Sequence, residues 1–223
     1  MKSFSLLFII IFSATAVFTQ HIRLNAYGNY VFDDRVESYN SSTNYFQGTI
    51  EGGLLWGAGI EVQVHEYYAI ELLYLRQDTK APVHFYDINS FSEKNATLNV
   101  GIDWIMAGGM RAMSPDKTRI EPYAGCLMGV ALINAENPDK NTTANATKFA
   151  WGLRIGSNFW LTDRFAIKVQ TQLLSAVQAS GGSLYFGTGG AGTSVTGYSS
   201  MTQFSLGGGL VLQFGTITPR HKK

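Results

Sequence analysis

The chain has 223 residues, a net charge of +1 and a single cysteine, Cys126. Its charged fraction of 15% is low for a soluble domain, where about 25% is usual. The balanced charge supplies no field for nucleic acid, and one cysteine excludes an internal disulfide and a cysteine-based metal site.

The N-terminus reads as a secretory signal peptide. Lys2 precedes the apolar run Phe4 to Phe12, and Ala14-Thr15-Ala16 gives a cleavage pattern, with a second option just before Gln20. The run is too short for a spanning helix, which needs about 20 apolar residues. Residues 1–19 are therefore expected to be a signal peptide, 20–215 a β-barrel and 216–223 a basic tail.

The rest of the chain alternates with period two, the mark of strands with one apolar and one polar face. The first run is His21 to Phe32, with Ile22, Leu24, Ala26, Tyr30 and Phe32 on one face and Arg23, Asn25, Tyr27 and Asn29 on the other. The second, Thr49 to Val64, puts Leu54, Trp56, Ile60 and Val64 opposite Glu51, Glu61 and Gln63. In the third, Tyr68 to Gln77, Ile70, Leu72 and Tyr74 oppose Glu71, while Leu73 and Leu75 break the pattern. The fourth carries Leu98, Val100, Ile102, Trp104, Met106 and Met110 on its apolar face, against Asn99, Asp103 and Arg111. A turn at Ser114-Pro115-Asp116-Lys117-Thr118 leads into the fifth, with Cys126, Met128, Val130 and Leu132 opposite Glu121 and Tyr123. Lys148 to Leu161, Phe165 to Val177 and Met201 to Phe214 complete eight strands, with Lys148, Arg154 and Lys168 on polar faces.

The connections alternate in length: about 16, 3, 19, 5, 13, 3 and 22 residues. Long loops at one end and short turns at the other are the signature of an up-and-down transmembrane barrel. The apolar faces then meet lipid. The polar faces fill a narrow lumen, because only a closed wall satisfies every backbone group in hydrocarbon.

The mature chain resembles the small eight-stranded outer-membrane barrels, the outer-membrane protein A and X type. Ile120-Glu121-Pro122-Tyr123-Ala124-Gly125 and Leu206-Gly207-Gly208-Gly209-Leu210, with Phe214, are similar to barrel-domain outer-membrane proteins common in the Bacteroidetes. The resemblance implies an all-β, antiparallel barrel in the outer membrane of a Gram-negative cell, with short periplasmic turns, long external loops and periplasmic termini. Barrels of this kind usually end on an aromatic residue; here Phe214 is followed by residues 215–223.

On this reading Arg23, Glu51, Glu61, Glu71, Asp103, Arg111, Glu121, Lys148, Arg154 and Lys168 face inward. Five acids and five bases are expected to form a salt-bridge plug rather than an ion path, since unpaired inward charges are costly. Trp56, Trp104, Trp151 and Trp160 are expected in the interfacial aromatic girdle. No cofactor or metal is expected, the four histidines being far apart. His84, Asp87 and Ser90 could form a nucleophile, base and acid at the rim, but a polar loop produces such a trio often, and the chain is read as a non-enzyme. The expected role is structural or surface-interacting. Its partners would be outer-membrane lipid and an extracellular molecule docked on the loops, with the barrel a monomer and nucleic acid excluded. The alternatives are a narrow pore, a rim enzyme on lipid A, and a soluble lipocalin-like carrier with the faces reversed.

Overall fold

The computed structural model describes residues 21–41, 44–87, 92–113, 119–138, 142–177, 183–187, 190–194 and 201–215. The signal segment, the turn at 114–118, the tail at 216–223 and Ser90 lie outside the described residues.

Among the described residues twelve strands follow one another: β1 (Ile22–Val31), β2 (Asp34–Ser41), β3 (Asn44–Ile50), β4 (Gly53–His65), β5 (Tyr68–Asp87), β6 (Ser92–Ala112), β7 (Ile120–Asn137), β8 (Thr142–Trp160), β9 (Phe165–Val177), β10 (Ser183–Gly187), β11 (Gly190–Ser194) and β12 (Met201–Phe214). Eight of them form the wall. β1, β4, β5, β6, β7, β8, β9 and β12 each pair antiparallel with the next, and β12 pairs with β1 to close the circuit. No edge of the wall is left open.

Register fixes the tilt. Tyr74 on β5 connects through Ile105, Val130 and Phe149 to Val177 on β9. In the other direction it connects through Ala58, Ala26 and Leu210 to Ile167 on the same strand. The circuit therefore climbs ten residues along β9, from 167 to 177. For eight strands such a stagger corresponds to the ~35–45° tilt of small barrels, whose interior is filled by side chains.

The outer face carries a belt of exposed large apolar side chains. It includes Ile22, Leu24, Leu54, Trp56, Ile60, Ile70, Leu72, Ile155, Val169, Leu206, Leu210 and Phe214. Phe32 stacks on Phe204 at 5.7 Å near its upper edge. A continuous apolar band this large marks a surface in contact with membrane rather than water.

Three expected long loops are largely strand. β2 and β3 form a hairpin within the expected loop 33–48, and Phe46, Gln47 and Gly48 extend the sheet onto β5. β5 and β6 stay paired from Tyr68 and Arg111 up to Asp87 and Ser92, and β7 and β8 up to Asn137 and Thr142. At about 3.3 Å per residue, the 20 residues of β5 outrun a belt of roughly 25 Å. These hairpins rise well above the apolar band. Above the band the outer face turns polar, as at Asp78, Lys80, Asn134 and Glu136, while Ala81, Val100, Ile133 and Ala135 stay buried inside, so the outward apolar half of the pattern fades.

β6 corrects a second expectation. Its greasy register, Leu98, Val100, Ile102, Trp104, Met106 and Met110, is buried inside the barrel. Its mixed register, including Ile105 and Arg111, is on the outer face. The upper lumen needs apolar filling. The outer face of β6 manages with Ile105, Ala107 and Gly109 between its charges.

Candidate functional site

The lumen has two layers. Toward the short-turn end, alternation on β1, β4, β5, β7, β8 and β9 brings polar side chains to the axis. Arg23 is the lower hub: its Nη1 lies 2.9 Å from Glu61 and 2.7 Å from Glu121, and its Nε donates to Gln213 at 3.1 Å. Glu121 also accepts from Asn158 at 3.2 Å and from the indole of Trp160 at 3.0 Å. Lys168 Nζ lies 3.5 Å from Glu61.

One layer up, Arg154 Nη1 donates to Glu71 Oε2 at 2.8 Å. The Tyr27 hydroxyl donates to the other oxygen of Glu71. Asn25 joins the two tiers, donating to Glu61 at 3.1 Å and to Glu71 at 2.8 Å. Arg154 lies over the Tyr27 ring at 4.8 Å and Lys168 over Tyr123 at 5.0 Å. Three acids and three bases thus share one buried network. The carboxylates must be paired at this depth, because an isolated charge in such a medium costs several kcal/mol.

Toward the long-hairpin end the lumen is largely apolar, with Gln77 and Gln203 buried beside Leu55 and Leu174. Leu55, Leu73, Leu75, Ile102, Trp104, Met106, Leu127 and Leu174 form one buried cluster across the barrel. Leu73 and Leu75, which interrupt the alternation in the sequence, belong to it. At the opposite mouth the cavity beside Arg23, Glu61, Glu121 and Lys168 holds only about 20 Å³, room for roughly one water.

Of the residues singled out in the sequence, Arg23, Glu61, Glu71, Glu121, Arg154 and Lys168 meet in this network, and Lys148 is buried on the inner face of β8. Three do not face the lumen. Glu51 is exposed between β3 and β4. Asp103 lies on the outer face, where Arg76 Nη1 donates to it at 2.9 Å and the Tyr74 hydroxyl at 2.7 Å. Arg111 is exposed on the outer face with its guanidinium 5.7 Å from the Tyr68 ring. The inverted faces of β6 account for both of the latter.

Two tryptophans are also displaced from the expected girdle. Trp104 is fully buried in the apolar lumen layer, and Trp160 packs inside against Arg23 at 5.1 Å while binding Glu121. Trp56 and Trp151 lie on the outer face. Residues missed from the sequence are the neutral joints Asn25, Tyr27, Asn158 and Gln213. Asn25, Tyr27 and Asn158 share the inward parity of a charged residue on their own strand, which was the available signal; Gln213 has none on β12 and meets Arg23 only across the sheet.

His84 and Asp87 fall on β5, not in a loop; His84 pairs with Gln47 on β3 and Asn95 on β6. Among the described residues no three His, Cys, Asp or Glu side chains gather as a metal site.

No known sequence family matches the chain, and no curated protein matches it. Solved structures do. Neisserial surface protein A superposes with a TM-score of 0.54 at 10% identity, covering 88% of this chain and 98% of that one. The outer membrane protein OprG from Pseudomonas aeruginosa superposes with a TM-score of 0.56 at 8% identity, covering 88% of this chain and 96% of that one. The closed eight-strand wall, the apolar belt around it and this likeness give the chain the fold of the small eight-stranded outer-membrane β-barrels.

Proposed function

We propose that this barrel is a closed scaffold that acts through its outer surface and its projecting hairpins rather than by conducting solutes, with a structural or surface-interaction role. The observation that carries this reading is the double filling of the lumen. A charge-paired layer toward one end lies below an apolar layer toward the other. An ion following the axis would have to break Arg154–Glu71 and then enter a largely apolar layer, where the carboxamides of Gln77 and Gln203 are too few to replace its water. The hairpins β2–β3, β5–β6 and β7–β8, standing above the belt, offer extended rigid surfaces of the kind on which binding function concentrates.

In this reading the two-residue link between β4 and β5 and the other short connections lie in the periplasm, and the projecting hairpins lie outside the cell. The name of Neisserial surface protein A is in keeping with a surface role here.

The test is single-channel recording of the refolded full chain in a planar phospholipid bilayer, with heat-dependent gel mobility as proof of folding. A folded, heat-shifting protein that produces no conductance steps is expected. Regular conductance steps from the folded wild type would overturn the reading in favour of a narrow pore.

A further inference from the structure

We infer that an outward-facing groove across β5, β6, β7 and β8, just above the apolar belt, is a binding site for the core sugars of a glycolipid in the surrounding leaflet, beyond its acylated disaccharide anchor. The inference rests on the proposed orientation, in which the projecting hairpins face the cell exterior.

Position comes first. On β5 the outer face changes from Leu72 and Tyr74 to Asp78 and Lys80. On β7 it changes from Val130 to Asn134 and Glu136. The groove lies across this upper segment, has a volume of about 610 Å³, and opens sideways. Whatever fills it comes from the layer of headgroups around the barrel, not from the lumen. The volume falls in the ~300–1,000 Å³ range of small-molecule sites.

The chemistry of the lining is selective. The exposed carboxamides of Asn99, Asn134 and Asn145 come from three different strands and converge on it. Each offers both donors and an acceptor, which is what sugar hydroxyls require. The charges cancel locally: Arg76 and Lys80 stand against Asp78 and Glu136. Arg76 is also held in place, by Asp78 at 2.7 Å and by Asp103 at 2.9 Å. A phosphate site would leave such a guanidinium uncommitted. Gly101 keeps the floor open, because a Cβ there would lie 3.2 Å from Arg76 Nη2. The neutral, hydroxyl-rich sugar units of such a glycolipid fit this surface better than its phosphates or acyl chains do.

The test uses the full chain in nanodiscs of phosphatidylethanolamine and phosphatidylglycerol, alone, with lipopolysaccharide, or with lipid A that lacks core sugars. The readout is the side-chain amide NMR signals of Asn99, Asn134 and Asn145. Lipopolysaccharide is expected to shift all three, and lipid A to leave them in place. The double variant Asn134→Ala/Asn145→Ala, still heat-shifting on gels, is expected to lose at least half of the shift at Asn99. Unmoved signals, equal shifts with lipid A, or an unchanged Asn99 shift in the double variant would overturn the inference. Orientation is checked separately by labelling Pro138→Cys, exposed at the end of the β7–β8 hairpin, in a Cys126→Ala background, with a membrane-impermeant maleimide on intact cells. No labelling would overturn the orientation and with it the site; labelling without shifts would overturn the saccharide site alone.

Discussion

Arg154 and Glu71 face each other at 2.8 Å across the axis of the barrel, both side chains sealed from solvent. The pair ties β8 to β5, strands that are not neighbours in the wall, so it braces the barrel across its diameter. Removing one partner leaves the other charged and buried. Glu71→Ala is expected to lower stability by about 3–5 kcal/mol. The double variant Glu71→Ala/Arg154→Met is expected to recover much of that loss, because no charge is stranded and an apolar side chain fills the space. Urea unfolding of the protein in lipid vesicles measures all three. A Glu71→Ala variant as stable as the wild type would show that the pair does not brace the wall.

The two lumen layers make different predictions for conductance. Neutralising the lower hub with Arg23→Gln and Glu121→Gln is expected to leave the barrel closed, because the apolar layer around Trp104 and Leu75 still blocks the axis. Trimming that layer with Trp104→Ala and Leu75→Ala is expected to leave it closed too, at a stability cost of several kcal/mol. Only the combination, with Glu71→Gln and Arg154→Gln added to remove the tier between them, is expected to give conductance steps in planar bilayers. Steps from the charge variant alone would mean that the lower network is the gate.

The wall was legible because lipid imposes a strict rule on each strand, and the unequal connections showed which strands turn tightly. What alternation lacks is a sign. A run of apolar residues at every second position says that one face is greasy, not which side of the wall it occupies. β6 shows this: its uniform register, Leu98 to Met110, fills the lumen. Asp103 is tolerated outside because Arg76 and Tyr74, from the adjacent strand β5, reach it. That compensation is between strands and invisible within one of them. Trp160 is a different case. It shares parity with Asn158, which faces inward, so its position was readable. The general habit of tryptophan to sit at interfaces outweighed the local pattern. The upper hairpins were illegible for a third reason: above the belt the outer face no longer has to be apolar, and polar sequence such as Asp34 to Gly48 reads as loop.

The outer face of β6 gives a depth-dependent prediction. Arg111 is exposed low on the belt with Tyr68 beside it, where a long side chain can extend its charge toward headgroups. Arg111→Leu is therefore expected to change stability by less than about 1 kcal/mol. Ala107, four residues along the same outer face, lies closer to the middle of the belt. Ala107→Arg is expected to cost about 2–4 kcal/mol. Equal effects at the two positions, measured by unfolding in vesicles, would show that the belt is not centred as described.

Inward Gly156 has a packing reason that outward Gly109 lacks. Tyr123 on β7 is paired with Gly156 on β8. A Cβ at Gly156 would lie 2.7 Å from the Tyr123 hydroxyl and 2.4 Å from the Val169 backbone oxygen. The bare backbone is thus what lets the ring lie flat and its hydroxyl reach Gln170 at 2.9 Å. Gly156→Ala is expected to displace the ring, break that bond and destabilise the barrel by about 1–3 kcal/mol. Adding Tyr123→Ala is not expected to restore stability, because the Val169 contact is backbone and cannot step aside. Gly109 is the control. It lies on the outer face, and a Cβ there meets nothing within 4 Å. Gly109→Ala is expected to be neutral or to add a few tenths of a kcal/mol, through the unfolded chain. If urea midpoints fall equally for Gly156→Ala and Gly109→Ala, glycine at these positions serves the backbone rather than the lumen packing.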